Sequence, residues 1–105
     1  MLDRLTSMTV FVQTVRYGSF AAAAEKLNMS PQMVAKHIEA LEQRVETRLL
    51  NRTTRKQSLT VFGRLYLDQC HSVLSEVEAA DMLAQSSHAR PQGRLRVNAD
   101  RKSVV

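Results

Sequence analysis

Residues 19–38, SFAAAAEKLNMSPQMVAKHI, limit what this chain can fold into more than any other stretch. Apolar residues recur at helical spacing on both sides of a short break. Phe20, Ala23, Ala24 and Leu27 come first, then Val34, Ile38, Leu41 and Val45. The break, Asn28-Met29-Ser30-Pro31, supplies a capping serine and then a proline at the first helical position, where its missing N–H is not needed. The spacing predicts one helix over about 20–27 and another from after Ser30 to about Val45. Two helices meeting at so tight a turn form a helix-turn-helix, whose second helix can enter the major groove of DNA.

The flanking sequence extends this unit. Leu5, Met8, Phe11, Val12 and Val15 share one face of an amphipathic helix over about 5–16. Gly18 suits a left-handed helix end and Ser19 the next N-cap. On the third helix the face opposite the apolar one shows Gln32, Ala35, Lys36, Glu39 and Gln43. Gln32, Met33, Ala35 and Lys36, near its start, are the candidates to meet base edges. Taken alone, such a face is also what a solvated helix surface looks like.

Residues 47–52 and 57–60 can pair as two short strands around Thr53-Thr54-Arg55-Lys56, forming a small wing with a positive tip. Arg44, Arg48, Arg52, Arg55 and Lys56 stand against Glu46 alone between positions 44 and 56. A basic hairpin placed there can reach phosphates or a minor groove, where negative potential favours arginine. Thr60 then reads as the N-cap of a long helix to about Ser87. Along it Tyr66, Cys70, Val73, Val77, Ala80 and Ala84 alternate four and three residues apart. This is a heptad seam, widened by Leu67, Leu74 and Leu83. A stripe of that length exceeds what about 60 residues can cover, so a second copy of the helix is the expected partner; an intramolecular core role is the alternative.

Charge follows the same division. The net charge is +4 over residues 1–60, −3 over 61–88 and +4 over 89–105. Polyanion binding therefore belongs to the first segment. Cys70, the single cysteine, rules out an internal disulfide and fits a reducing cytoplasm. It reads as a small apolar residue rather than a redox group. No apolar run is long enough to cross a membrane, and no signal-peptide pattern opens the chain. His37, His71 and His88 are scattered, without a ligand spacing for metal and without a glycine-rich phosphate loop. No enzyme, metal or cofactor is expected. His37, near the recognition face, is either a phosphate contact or an ordinary exposed or interhelical histidine. After the polar end of the long helix, Pro91 and Gly93 mark a hinge, and GRLRVNA alternates like the opening strand of another domain.

SFAAAAEKLNMSPQMVAKHIEALE and RLLNRTTRKQSLTVFG, in this order and at this separation, resemble the N-terminal part of LysR-type transcriptional regulators over about residues 1–99. The resemblance implies a mainly α fold, a winged helix-turn-helix followed by a long dimerisation (linker) helix that pairs two subunits antiparallel. It implies a DNA-binding domain over 1–60, with the helix-turn-helix at 19–38 and the wing at about 47–60. The linker helix spans 61–88, and 89–105 hold the hinge and the first strand of an effector domain. The implied partners are double-stranded DNA, as a palindromic operator, and a second copy of the chain. A small-molecule inducer would belong only to an effector domain, and no membrane is involved.

By position, the resemblance places Pro31, Gln32, Met33, Ala35 and Lys36 at the bases and Arg55 in the minor groove. Ser19, Ser30 and Arg52 fall at phosphates, while Tyr66, Cys70, Val73, Val77, Ala80 and Ala84 fall at the dimer interface. Three residues depart from the family pattern. Ala35 replaces a serine and removes a hydroxyl contact. Glu46 replaces the glycine after the third helix, so a different cap is expected there. Phe62 replaces an alanine, implying altered packing of the linker helix on the wing. Two other functions remain open on the residues alone: a dimerising interaction module that binds no DNA, and a nonspecific nucleoid-type binder.

Overall fold

The computed structural model describes residues 2–52 and 57–89. Four helices and one hairpin follow in order: α1 (Arg4–Tyr17), α2 (Phe20–Leu27), α3 (Pro31–Val45), β1 (Leu50–Arg52), β2 (Gln57–Leu59) and α4 (Val61–Ala89). The described residues up to Leu74 form one compact unit and those from Ser75 to Ala89 a second, with α4 contributing to both. The hinge and opening strand expected in 89–105 lie outside the described residues from position 90 on, and Ala89 is the last residue of α4.

Local chemistry accounts for each helix boundary. Asp3 caps α1, its carboxylate accepting from the Thr6 N–H at 2.9 Å and the Thr6 hydroxyl at 2.8 Å. Those two hydrogen bonds hold the Asp3 carboxyl below its ordinary pKa. Ser19 and Ser30 cap α2 and α3, each Oγ accepting at 3.1 Å from the N–H three residues on, Ala22 and Met33 respectively. Gly18 ends α1 in the left-handed conformation, at φ 84°.

Asn28 and Glu46 end α2 and α3 in that same left-handed region, at φ 61° and 55°. In both, the next N–H reaches back to a carbonyl five residues earlier: Met29 to Ala24 at 3.0 Å, and Thr47 to Glu42 at 3.1 Å. Asparagine tolerates this backbone well. Glutamate does not, so the cap expected to differ at Glu46 keeps the glycine-like geometry and bears its strain.

Within the first unit, α1 packs against both α2 and α3. The core contains Val10, Phe11, Ala23, Ala24, Val34, Ile38, Leu41, Leu49, Leu50 and Cys70. One expectation for α1 is corrected: Leu5 is 40% exposed, whereas Val10 is buried. The packed surface of α1 is wider than the stripe read from spacing because helices lie on two of its sides. It also takes in Ser7 and Thr14, both buried. Thr14 satisfies its hydroxyl by donating to the Val10 carbonyl at 2.8 Å, and Ser7 pairs with the ring of His37 at 2.7 Å.

The hairpin pairs antiparallel, with Leu50 opposite Leu59, Asn51 opposite Ser58 and Arg52 opposite Gln57. Alternation turns Leu50 and Leu59 towards the core, while Asn51 and Ser58 face solvent. Thr60 joins the wing to α4: its hydroxyl accepts from the Gly63 N–H at 2.8 Å and donates to the Arg48 carbonyl at 2.7 Å. Gly63 is required where α4 meets the wing, because a Cβ there would run into the Leu49 carbonyl oxygen.

Candidate nucleic-acid interface

Packing determines which side of α3 is free. Val34, His37, Ile38, Leu41 and Glu42 are buried. Pro31, Gln32 and Lys36 are exposed, with Met33 and Ala35 half-buried on either side. Gln32 and Lys36 stand one turn apart on one meridian, and Glu39 and Gln43 continue the exposed face. At Ala35 the face offers a methyl group, suited to apolar contact rather than hydrogen bonding.

Ser19 and Ser30 lie at the N-termini of α2 and α3. Each hydroxyl oxygen is occupied as a cap acceptor, which leaves its proton free to donate to an anion. The wing strands place Arg52 opposite Gln57, at the edge of the tip. Arg55 itself lies outside the described residues, as do Thr53, Thr54 and Lys56. Arg48 is not a free charge of the wing, because its guanidinium lies 3.8 Å from the Glu42 carboxylate.

Two buried polar residues hold this surface in place. His37 turns inward and is 4% exposed, with Nδ1 hydrogen-bonded to Ser7 of α1. Of the readings open to it, phosphate contact, exposed or interhelical, the interhelical histidine is the one observed. Glu42 was not among the candidate residues. Its carboxylate accepts from the Leu49 N–H at 2.9 Å and the Leu50 N–H at 3.3 Å, tying α3 to the start of β1. The signal for it was available in the sequence: a carboxylate beside Leu41, on the apolar meridian that runs through Ile38.

The seam on α4 divides. Cys70 is fully buried in its own chain, and Tyr66 and Val73 pack on the same core. Tyr66 sits 6.0 Å from the Phe11 ring and 5.9 Å from Phe62, the latter nearly parallel. Phe62 thus packs along α4 and against the core. Burial raises the Tyr66 hydroxyl pKa, and it pushes the Cys70 thiol from an ordinary 9.0 to about 11. Cys70 therefore has no surface to offer a second chain, which corrects its expected place at a dimer interface. Val77, Ala80 and Ala84 are exposed, alongside Met82 and Leu83. No helix among the described residues is long and apolar enough to cross a membrane.

Comparison with known proteins bears on this geometry. Residues 5–64 match the family described as "Bacterial regulatory helix-turn-helix protein, lysR family". The chain is 44% identical over 98 residues to the HTH-type transcriptional regulator CrgA of Neisseria meningitidis serogroup C (strain 8013), covering 93% of this chain and 33% of that protein. It is 40% identical over 97 residues to an HTH-type transcriptional repressor of Pseudomonas aeruginosa (strain UCBPP-PA14), covering 92% and 31%. It thus spans about a third of the length of the curated relatives it matches. Among solved structures, that of BenM_DBD in complex with catB site 1 DNA is similar at a TM-score of 0.76 and 26% identity, covering 81% of this chain and 91% of that one.

Proposed function

The chain belongs to the LysR family of bacterial regulatory helix-turn-helix proteins, and we propose that it binds double-stranded DNA sequence-specifically as a dimer to regulate transcription. Residues 1–60 are the reader and 61–88 the pairing helix. The observation that carries this reading is the exposed face of α3. Gln32 and Lys36 stand out at a capped helix N-terminus, while the opposite side is locked onto α1. A rigid helix with free polar side chains at its leading end is what major-groove reading requires.

In this reading Pro31, Gln32, Met33, Ala35 and Lys36 meet base edges, and Ser19, Ser30 and Arg52 meet phosphates. Arg55 enters the minor groove. Two copies pair through the exposed distal part of α4, around Val77, Ala80 and Ala84, and the operator shares their two-fold symmetry. The protein acts in the cytoplasm, where its DNA is, and has no catalytic role.

Selection of bound fragments from genomic DNA, followed by anisotropy titration of the recovered duplex, tests this function. The expected outcome is a palindromic motif, bound more tightly than random DNA. Equal binding to both would favour a nonspecific binder, and no binding an interaction module. Gln32→Ala should relax base preference at one position while leaving affinity for random DNA nearly unchanged.

A further inference from the structure

Beyond the recognition helix and the wing lies a cationic cluster that the reading above does not use. The ring of Tyr17, 39% exposed at the end of α1, has the Arg16 guanidinium carbon 6.0 Å from its centroid and the Lys26 ammonium 5.7 Å from it. Arg16 and Lys26 are exposed. Among the described residues no carboxylate pairs with either, and Glu25, next to Lys26 in the chain, makes no ion pair with it. An aromatic face attracts cations without neutralising them. The ring therefore gathers two positive charges at one corner while leaving their N–H groups free to donate, and two like charges gathered this way favour an anion between them.

The position of the corner says which anion. Tyr17 is followed by Gly18 and by Ser19, the cap of α2. Gly18 lines a small cavity with Leu50, Ser58 and Leu59, so the corner abuts the base of the wing. It therefore continues the surface formed by the α2 N-terminus and the hairpin. In a helix-turn-helix the first helix of the pair, here α2, crosses the sugar–phosphate backbone.

We propose that Arg16, Tyr17 and Lys26 form a clamp on the DNA backbone, gripping phosphates that flank the base pairs read by α3. The clamp rests on the DNA-binding reading above. It carries no base information, so it lengthens the footprint and adds equally to affinity for any sequence.

The test uses the full chain and random-sequence duplexes of about 40 and about 15 bp, which differ in flanking turns of helix. With Arg16→Gln/Lys26→Gln, the slope of log affinity against log salt should fall by about 1.8 on the long duplex, 0.9 per phosphate lost. The change should be smaller on the short duplex. Tyr17→Phe should behave as wild type and Tyr17→Ala should lose part of the slope. Both cations are exposed, so the double variant should keep the wild-type circular dichroism. With 3-fluorotyrosine at both tyrosines, the Tyr17 fluorine resonance, assigned through Tyr66→Phe, should move on adding the long duplex. An unchanged slope in the double variant, or an unmoved Tyr17 resonance, overturns the clamp and leaves DNA binding standing. If the wild-type chain binds neither duplex, the DNA-binding reading fails and the clamp falls with it.

Discussion

The two halves of α4 carry one continuous heptad pattern and use it differently. Up to Leu74 the stripe closes the core of its own unit: Cys70 is fully buried, and Phe62, Tyr66, Leu67, Val73 and Leu74 pack around it. From Ser75 onward the same pattern is exposed, with Val77 at 37%, Met82 at 62% and Leu83 at 73%. Charge separates them as well, since Glu76, Glu78 and Asp81 all lie in the distal half. A heptad repeat specifies an apolar face, and what covers that face depends on which other surface lies within reach.

The sharpest way to break this contrast is at the anchor of the proximal half. Gly63→Ala should destabilise the protein by about 3 kcal/mol, because the new methyl group meets the backbone of Leu49 rather than a flexible side chain. Urea unfolding would measure it; a neutral result would mean that α4 is not pinned to the wing.

Cys70→Ser places a hydroxyl in the apolar core and should cost about 2 kcal/mol without a specific effect on dimerisation. Were it instead to weaken association at unchanged unfolding free energy, the proximal half would belong to the dimer seam after all. The raised thiol pKa has a further consequence. The thiol stays protonated in the folded chain up to about pH 11 but ionises near pH 9.0 when unfolded. Its contribution is therefore complete below pH 9.0 and is lost as pH rises towards 11. Urea midpoints across that range, with Cys70→Ala as reference, would show the loss in the wild type only. At pH 8, thiol reagents should label Cys70 only at the rate of unfolding.

Val77→Asp probes the distal half. It should weaken dimerisation on the order of tenfold by sedimentation equilibrium, while changing monomer stability by no more than about 0.5 kcal/mol. Loss of monomer stability would show that this half, too, belongs to an intramolecular core. The smallest effect is expected away from α4, at the strained end of α3. Glu46→Gly should stabilise the protein by about 1 kcal/mol by relieving the left-handed backbone, with no change in dimerisation.

Most of the element pattern was legible because it rests on contacts a few residues long. Ser19, Ser30 and Thr60 each cap through the N–H three residues ahead, and such a bond can be read from neighbours in the chain. The exposed Gln32 and Lys36 were legible too, since they lie opposite a strongly apolar stripe. What spacing did not reveal depends on distant partners. Val10, off the stripe, is buried because α1 is covered on two sides, whereas Leu5, in its first turn, is left exposed. His37 is an internal strut because Ser7, thirty residues away, faces it. Glu42 ties α3 to β1 through amides seven and eight residues on.

By itself, then, the sequence determined the order of helices, the caps at Gly18, Ser19, Ser30 and Thr60, the turn that aims α3 and the family to which the chain belongs. Only the tertiary structure decided that α4's stripe is core in its first half and open surface in its second. Helical periodicity and capping are set by near neighbours along the chain. Burial depends on which residues far apart in sequence come together, and the apolar spacing of α4 is the same on both sides of the point where its own core ends.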